Sequence, residues 1–238
     1  MISVSFHSRL PSIVLSAICA IGALSPLPAA AQVGPSSTEI AQYMGLHAAA
    51  KKGDAPRIET LAASKAASNA RDGNGRTPLH VATFARQREA ISVLVKAGAD
   101  ISLLDNDRYD GITIASVADD EETLGVLLAL GANAKLLTSR HDGTALNAAA
   151  HMGHDGVVKQ LIDAGAPLGH VNNLHWTALI ESIVLGNGGT RHQECLRTPL
   201  AAGASLHLTD RQGNTPLQLA MSRAYRQMVQ MLELAGAR

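Results

Sequence analysis

Asp72-Gly73-Asn74-Gly75-Arg76-Thr77-Pro78-Leu79-His80-Val81-Ala82 is the stretch that decides how this chain folds, because variants of it return at a nearly fixed interval. Asp72 to Gly75 reads as a turn tip and Thr77 as a helix N-cap. Pro78 follows as the first helical residue, where its missing N–H costs nothing. Outward from there, His47 lies 33 residues before His80, and the helix-ending pair Gly131-Ala132 lies 33 residues after Gly98-Ala99. A period of that length means stacked repeats, each burying its apolar face against its neighbours.

The pattern D-x-x-G-x-T-P-L-H-x-A resembles the ankyrin repeat. That resemblance implies an all-α solenoid, a single domain of about six helix–turn–helix repeats with projecting β-hairpin-like loops. The units fall at 39–71, 72–104, 105–138, 139–171, 172–209 and 210–238. It also implies that His47 and His80 are structural, tying neighbouring turns together.

The departures from the pattern are informative. Repeat one carries Met44-Gly45 in place of Thr-Pro, as a terminal cap can. Repeat three, Asp105-Asn106-Asp107-Arg108-Tyr109-Asp110-Gly111-Ile112, has Arg108 where the turn glycine belongs and Asp110 in place of the threonine, so the motif is broken there. Repeat four regains it at Gly143-Thr144-Ala145-Leu146 after one extra residue. In repeat five Gly203-Ala204 comes 38 residues after Gly165-Ala166, so about five residues have been inserted, and Leu185 to His192 is read as a long loop between helices. Pro199 is expected to kink or shorten the helix that follows. Tyr109-Asp110-Gly111, Arg140-His141-Asp142-Gly143-Thr144 and Trp176-Thr177-Ala178-Leu179, together with the Gly-rich insert, are similar to a group of exported proteobacterial ankyrin-repeat proteins of unassigned activity.

Composition agrees with stacked small helices: 46% of the 238 residues are hydrophobic and only 3% aromatic, so the core is Ala, Leu, Val and Ile rather than rings. Lys+Arg 20 balance Asp+Glu 20 without long runs of one sign, which points away from nucleic acid. Residues 1–31 read as a signal peptide: Arg9, an apolar run Ile13 to Leu24, then Ala29-Ala30-Ala31 with cleavage before Gln32. The run is short for a membrane span, the alternative reading. No membrane insertion is expected after cleavage, residues 32–38 are read as a flexible leader, and the bacterial periplasm is the expected compartment, with full secretion as the alternative. Cys195 is the lone cysteine after cleavage, so no intrachain disulfide can form.

In the architecture the resemblance implies, loops and first helices line a concave face. Partner-binding candidates there are Arg76, Phe84, Asp107, Arg108, Tyr109, Arg140, His141, Asp142, His151, His175 and Trp176, with Tyr109, His141 and Trp176 along one ledge. Arg, Tyr and Trp dominate binding hot spots. The alternative is that Asp107 and Asp110 merely pair with Arg108 or Arg140 to stiffen the loops. Glu181 takes the position of Val81 and Ala148 and needs a partner, either the insert backbone, Arg191 or His192. No phosphate loop, serine elbow or zinc spacing occurs, and no cofactor is called for. The expected function is a monomeric, non-catalytic module binding a protein partner through repeats three to five. The rival is a small-ligand or metal site, or a hydrolase, using Glu181, Arg191, His192 and the insert. A metal set of His141, His151 and His175 is geometrically conceivable.

Overall fold

The computed structural model describes residues 33–62 and 65–238, so the expected signal segment lies outside the described residues. A short helix α1 (Ser37–Gln42) leads into α2 (Gly45–Lys52) and α3 (Ala55–Leu61), followed by a single turn, α4 (Lys65–Ser68). Five further pairs complete the stack: α5 (Pro78–Phe84) with α6 (Arg88–Lys96), α7 (Gly111–Val117) with α8 (Glu121–Ala129), α9 (Ala145–Met152) with α10 (Asp155–Asp163), α11 (Ala178–Val184) with α12 (Thr190–Ala201), and α13 (Pro216–Ser222) with α14 (Arg226–Leu234). First helices pack on first helices along one layer, α2 on α5, α7, α9, α11 and α13. Second helices α3, α6, α8, α10, α12 and α14 form the other layer. Among the described residues the β-type pairing is one bridge, Thr138 to Gly143.

After α2, whose N-cap Met44 makes no side-chain bond, each first helix starts where a side chain outside it replaces the missing turn. Thr77, Thr144, Thr177 and Thr215 accept from the amides of His80, Asn147, Ile180 and Gln218. Asp110 does the same for Thr113 at 2.8 Å. The sequence of repeat three departs from the pattern, but its geometry does not: aspartate caps as well as threonine, and Gly111 enters the helix in place of Pro78. Arg108 adopts φ 65°, the left-handed region that Gly75 occupies at φ 73°.

Repeat five corrects two expectations. The turn between α11 and α12 holds residues 185–189, against 85–87 and 118–120 in repeats two and three. Meanwhile α12 has 12 residues where α6, α8, α10 and α14 have 9. The inserted residues therefore split into a slightly longer turn and one extra helical turn at the start of α12. Pro199 does not shorten that helix, which runs on to Ala201. Proline removes one donor near the helix end. The amides beyond it still close on Thr198, Pro199 and Leu200 carbonyls, and the buried ring fills the inward position that Leu94 holds in α6.

The core follows the stack. One cluster runs from Leu46 through Ile58, Leu79, Leu94, Leu127 and Leu146 to Leu161, and a second joins Leu179, Ile183, Leu196, Leu217, Met228 and Leu232. They meet at repeat five, with the side chain of Leu168 packed against both.

Asp110 is buried, and burial pushes its carboxyl upward while the Thr113 hydroxyl and amide pull it back down. Asp110→Ala is expected to lower stability by ~1–2 kcal/mol, the range for a lost N-cap, whereas Asp110→Thr stays close to wild type. The urea unfolding midpoint checks both.

Candidate partner-binding face

The loops that precede the first helices are knitted into a continuous edge by their own backbones. Each of four closes on itself through an amide-to-carbonyl bond four residues along, Asp72 to Arg76, Asp105 to Tyr109, Asn172 to Trp176 and Asp210 to Asn214. In repeat four the span is five residues, Thr138 to Gly143. Neighbouring loops are then joined: the Asn106 amide donates to the Asn74 carbonyl at 3.0 Å, Ser139 to Arg108 at 3.0 Å, and Asn173 to His141 at 2.9 Å. Backbone bonds of this kind leave the loops little freedom before any partner arrives.

Charged groups on this edge satisfy one another. Arg108 pairs with Asp142 at 3.0 Å, and Arg140 pairs with Asp107 one loop away. The aromatic and imidazole side chains do not. Among the described residues, Tyr109 and Trp176 are half-buried and His141 and His175 exposed, and none of the four side chains makes a hydrogen bond or ion pair. Burial, and then the nearby Asp107, pushes the Tyr109 phenol upward. The stiffening pairs therefore form between neighbouring loops, Asp107 with Arg140 and Asp142 with Arg108, while Asp110, expected among them, caps α7 instead.

At the far ends of the first helices, Phe84, Val117 and Met152 line a shallow depression of about 200 Å³ with Thr83, Arg86, Ile114 and Ala118. Phe84 is not open along its whole face. The chain before α1 runs across it, so that a Cβ added to Gly34 would lie 3.2 Å from the ring. Arg76, expected on the binding surface, is buried by the same segment. Its guanidinium pairs with Glu39 at 3.0 Å, donates to the Val33 carbonyl at 2.9 Å, and lies 5.6 Å from the centre of the Phe84 ring.

Glu181 is buried, but not against the insert. Asn147 and Asn172 donate to its Oε1 at 3.1 and 2.7 Å. Arg191 turns away to form a two-pronged pair with Asp119 at 2.8 and 3.0 Å and a bond to Asp155 at 2.7 Å, which ties repeat five back to repeats three and four. The Arg191 hydrogen bond holds the Asp119 carboxyl below its ordinary range. His192 spans Asn187 and the His151 carbonyl. Glu181, Arg191 and His192 therefore form no common site, because each is consumed by a different neighbour. Cys195 is fully buried with its thiol pushed up to about 12 by that burial, which makes it a packing residue. Burial and the neighbouring His192 lower the pKa of His151. His141, His151 and His175 are not assembled either: among the described residues no three His, Cys, Asp or Glu side chains are grouped to hold an ion.

The partners of Glu181 were not foreseen, although a signal existed. Asn147 replaces the motif histidine in the repeat before the carboxylate, and Asn172 the motif aspartate in the carboxylate's own repeat.

Stacked helix pairs with a zipped loop edge define a repeat solenoid built for binding. The chain belongs to the ankyrin repeat family. Family models for ankyrin repeats match residues 21–105, 141–173 and 190–233, so that the third repeat, with Arg108 and Asp110, falls between matches. The protein YahD of Escherichia coli (strain K12), itself named as an ankyrin repeat protein, is 34% identical over 190 residues, 79% of this chain and 94% of YahD. The crystal structure of an ankyrin repeat domain from Acinetobacter baumannii AYE is 42% identical, covers 81% of this chain and 98% of its own, and superposes with a TM-score of 0.75. That of EF0377, another ankyrin repeat protein, is 25% identical with a TM-score of 0.71, covering 82% of this chain and all of its own. Ankyrin repeats are in general protein–protein interaction modules. Among the described residues no helix is long and apolar enough to cross a membrane.

Burial pushes the Glu181 carboxyl up from 4.5 to about 8, against the two asparagine bonds that favour its charged form. In the unfolded chain it ionises near its ordinary value, so stability falls as pH rises from about 4.5 towards 8 and levels beyond. Glu181→Gln keeps an acceptor for both asparagines. Its melting temperature should match wild type near pH 4.5 and exceed it increasingly up to pH 8, by an amount equivalent to at least ~1 kcal/mol there.

Proposed function

We propose that this chain is a monomeric, non-catalytic protein–protein interaction module of the bacterial periplasm, binding a partner protein through the loops and concave face of repeats three to five. The observation that carries this reading is the backbone at three successive loop tips. Arg108, Asp142 and His175 hold φ of 65°, 51° and 64°, where Gly75 and Gly213 serve in repeats two and six. A side chain in that region costs about 1–3 kcal/mol, and such strain collects where function requires the side chain.

The turns between helices show the same feature at Arg86, Asp119 and Ala224, and the first two side chains are visibly used, in ion pairs with Asp120 and Arg191, as Arg108 and Asp142 are used in their own pair. His175 has no such use among the described residues. Its presence at the tip, beside Trp176 and one loop from His141, fits a surface kept for something outside the chain. Because the edge is already hydrogen-bonded, little conformational entropy is lost on association. Periplasmic placement rests on the Arg9 to Ala31 leader alone. The rival small-ligand or hydrolase reading finds no support at Glu181, whose two bonds are internal to the stack.

Affinity capture from a periplasmic extract tests the reading. Mature chain should retain a specific protein, and a folded Tyr109→Ala/Trp176→Ala variant should retain at least ten-fold less; equal retention would contradict the assigned face. His175→Gly should separate strain from binding, raising the melting temperature by ~2 °C while weakening capture.

A further inference from the structure

Arg76 and Phe84 form a platform at the amino-terminal end of the concave face, and a segment of the chain itself already lies on it. Residues 33–35 lie outside any helix and Ser36 is extended, Ser36 and Glu39 close a capping box that starts α1, and the Glu39 carboxylate reaches both Arg76 and the side-chain amide of Asn74. The contacts are those by which one protein grips a segment of another: a backbone carbonyl held by a guanidinium, a carboxylate on the same guanidinium, and a side-chain-free residue, Gly34, close to a ring. The fit is incomplete, however. Arg76 is only 6% exposed, yet its Nε is buried without any hydrogen-bond partner, so the self-bound segment leaves one donor of the platform unused.

We propose that the Arg76–Phe84 platform is a binding site for an acidic segment of a partner protein, and that residues 33–39 are its built-in competitor. This rests on the reading of the chain as a concave-face binder and extends the face to repeat two. Two features favour a displaceable strap over a fixed end cap. The Arg76–Glu39 pair leaves the carboxylate side chain 31% exposed to solvent, and Val33 at the start of the strap is 74% exposed. The Phe84 ring that the strap covers also lines the depression shared with Val117 and Met152, so a partner segment could continue from the ring along the first helices. Tethering gives the strap an effective concentration on the order of millimolar, enough to exclude weak competitors while yielding to a partner that also engages the loop edge.

The test uses the full mature chain and no partner, so its outcome is independent of the capture experiment. Glu39→Gln keeps a capping residue at the third helical position but removes the counter-charge of Arg76. Gly34→Leu crowds the Phe84 ring and lifts the strap. A fluorescein-labelled synthetic peptide with the sequence of residues 32–43 is titrated, with anisotropy as readout, into the wild type and into Gly34→Leu/Glu39→Gln. The double variant should bind at least ten-fold tighter than wild type, the gain should vanish when Arg76→Gln is added, and a peptide with glutamine for Glu39 should bind more weakly. Equal binding to wild type and variant, or no binding to a variant shown by circular dichroism to be folded, overturns the proposal. Amide exchange provides a second check that needs no variant. In the wild type, peptides covering residues 33–40 should exchange faster than those of α5, and faster still when the unlabelled 32–43 peptide is added in excess; strap amides as slow as α5 and unmoved by peptide make it a fixed cap.

Discussion

In a linear stack nearly every contact lies between nearest neighbours, so the orientation of each repeat rests chiefly on what crosses a single joint. In this chain that is a buried polar bond handed from the first helix of one repeat to the loop of the next. His47 Nε2 meets the Arg76 carbonyl at 2.9 Å, and His80 Nε2 meets the Tyr109 carbonyl at 3.0 Å. For His80 the tautomer follows from the geometry: Nδ1 accepts the Thr77 amide, so Nε2 carries the proton and donates it across the joint. Burial lowers its pKa and keeps the ring neutral, which the two-sided role requires. Asn147 reproduces the arrangement with an amide, its Oδ1 taking the Thr144 amide and its Nδ2 serving Glu181 and, at 3.5 Å, the Trp176 carbonyl. In repeat three the hydroxyls of Thr113 and Thr138 meet at 2.9 Å. Repeat five has Ile180 at this position, and there the hydrophobic core divides in two.

The same bonds explain why the loop edge is firm enough to recognise anything. The carbonyls that receive His80 and Asn147 belong to Tyr109 and Trp176, the two aromatic residues of the proposed binding edge, so the joint of the stack fixes the backbone of the residues it displays. Charges are arranged to the same end. Arg108, Asp142, Arg140 and Asp107 cancel one another from loop to loop, each pair half-exposed and individually worth little. Together with the backbone bonds they join each loop to the next. The extra turn of α12 works at a larger scale, sending Arg191 back across two repeats to Asp119 and Asp155.

The repeat architecture was legible because its signals are local. A cap, a proline at the first helical position and a glycine at the helix end can each be read from neighbouring residues, and they set the helix starts at Thr77, Thr144, Thr177 and Thr215. Asp110 shows the limit of reading by residue identity, since it departs from the pattern yet performs the same capping. Pro199 and the insert were misread because a proline near a helix end loses little, and inserted residues can extend a helix as easily as a loop. Harder to read were partners peculiar to this chain. The asparagines that replace motif residues at 147 and 172 signal a change but do not name Glu181 as its object, and nothing local to Arg76 tells that Val33 and Glu39 will cover it.

The central claim is that the loop edge is ordered before a partner arrives, and amide hydrogen exchange of the free chain addresses it directly at Asn106, Ser139 and Asn173, whose amides join neighbouring loops. Exchange at these three should be slowed together with the amides of α5, α7 and α9, as befits groups released only when the stack opens. Rapid exchange at the three loop amides while the helices remain protected would mean that the edge forms only on binding, and the account of recognition by a pre-organised surface would fail.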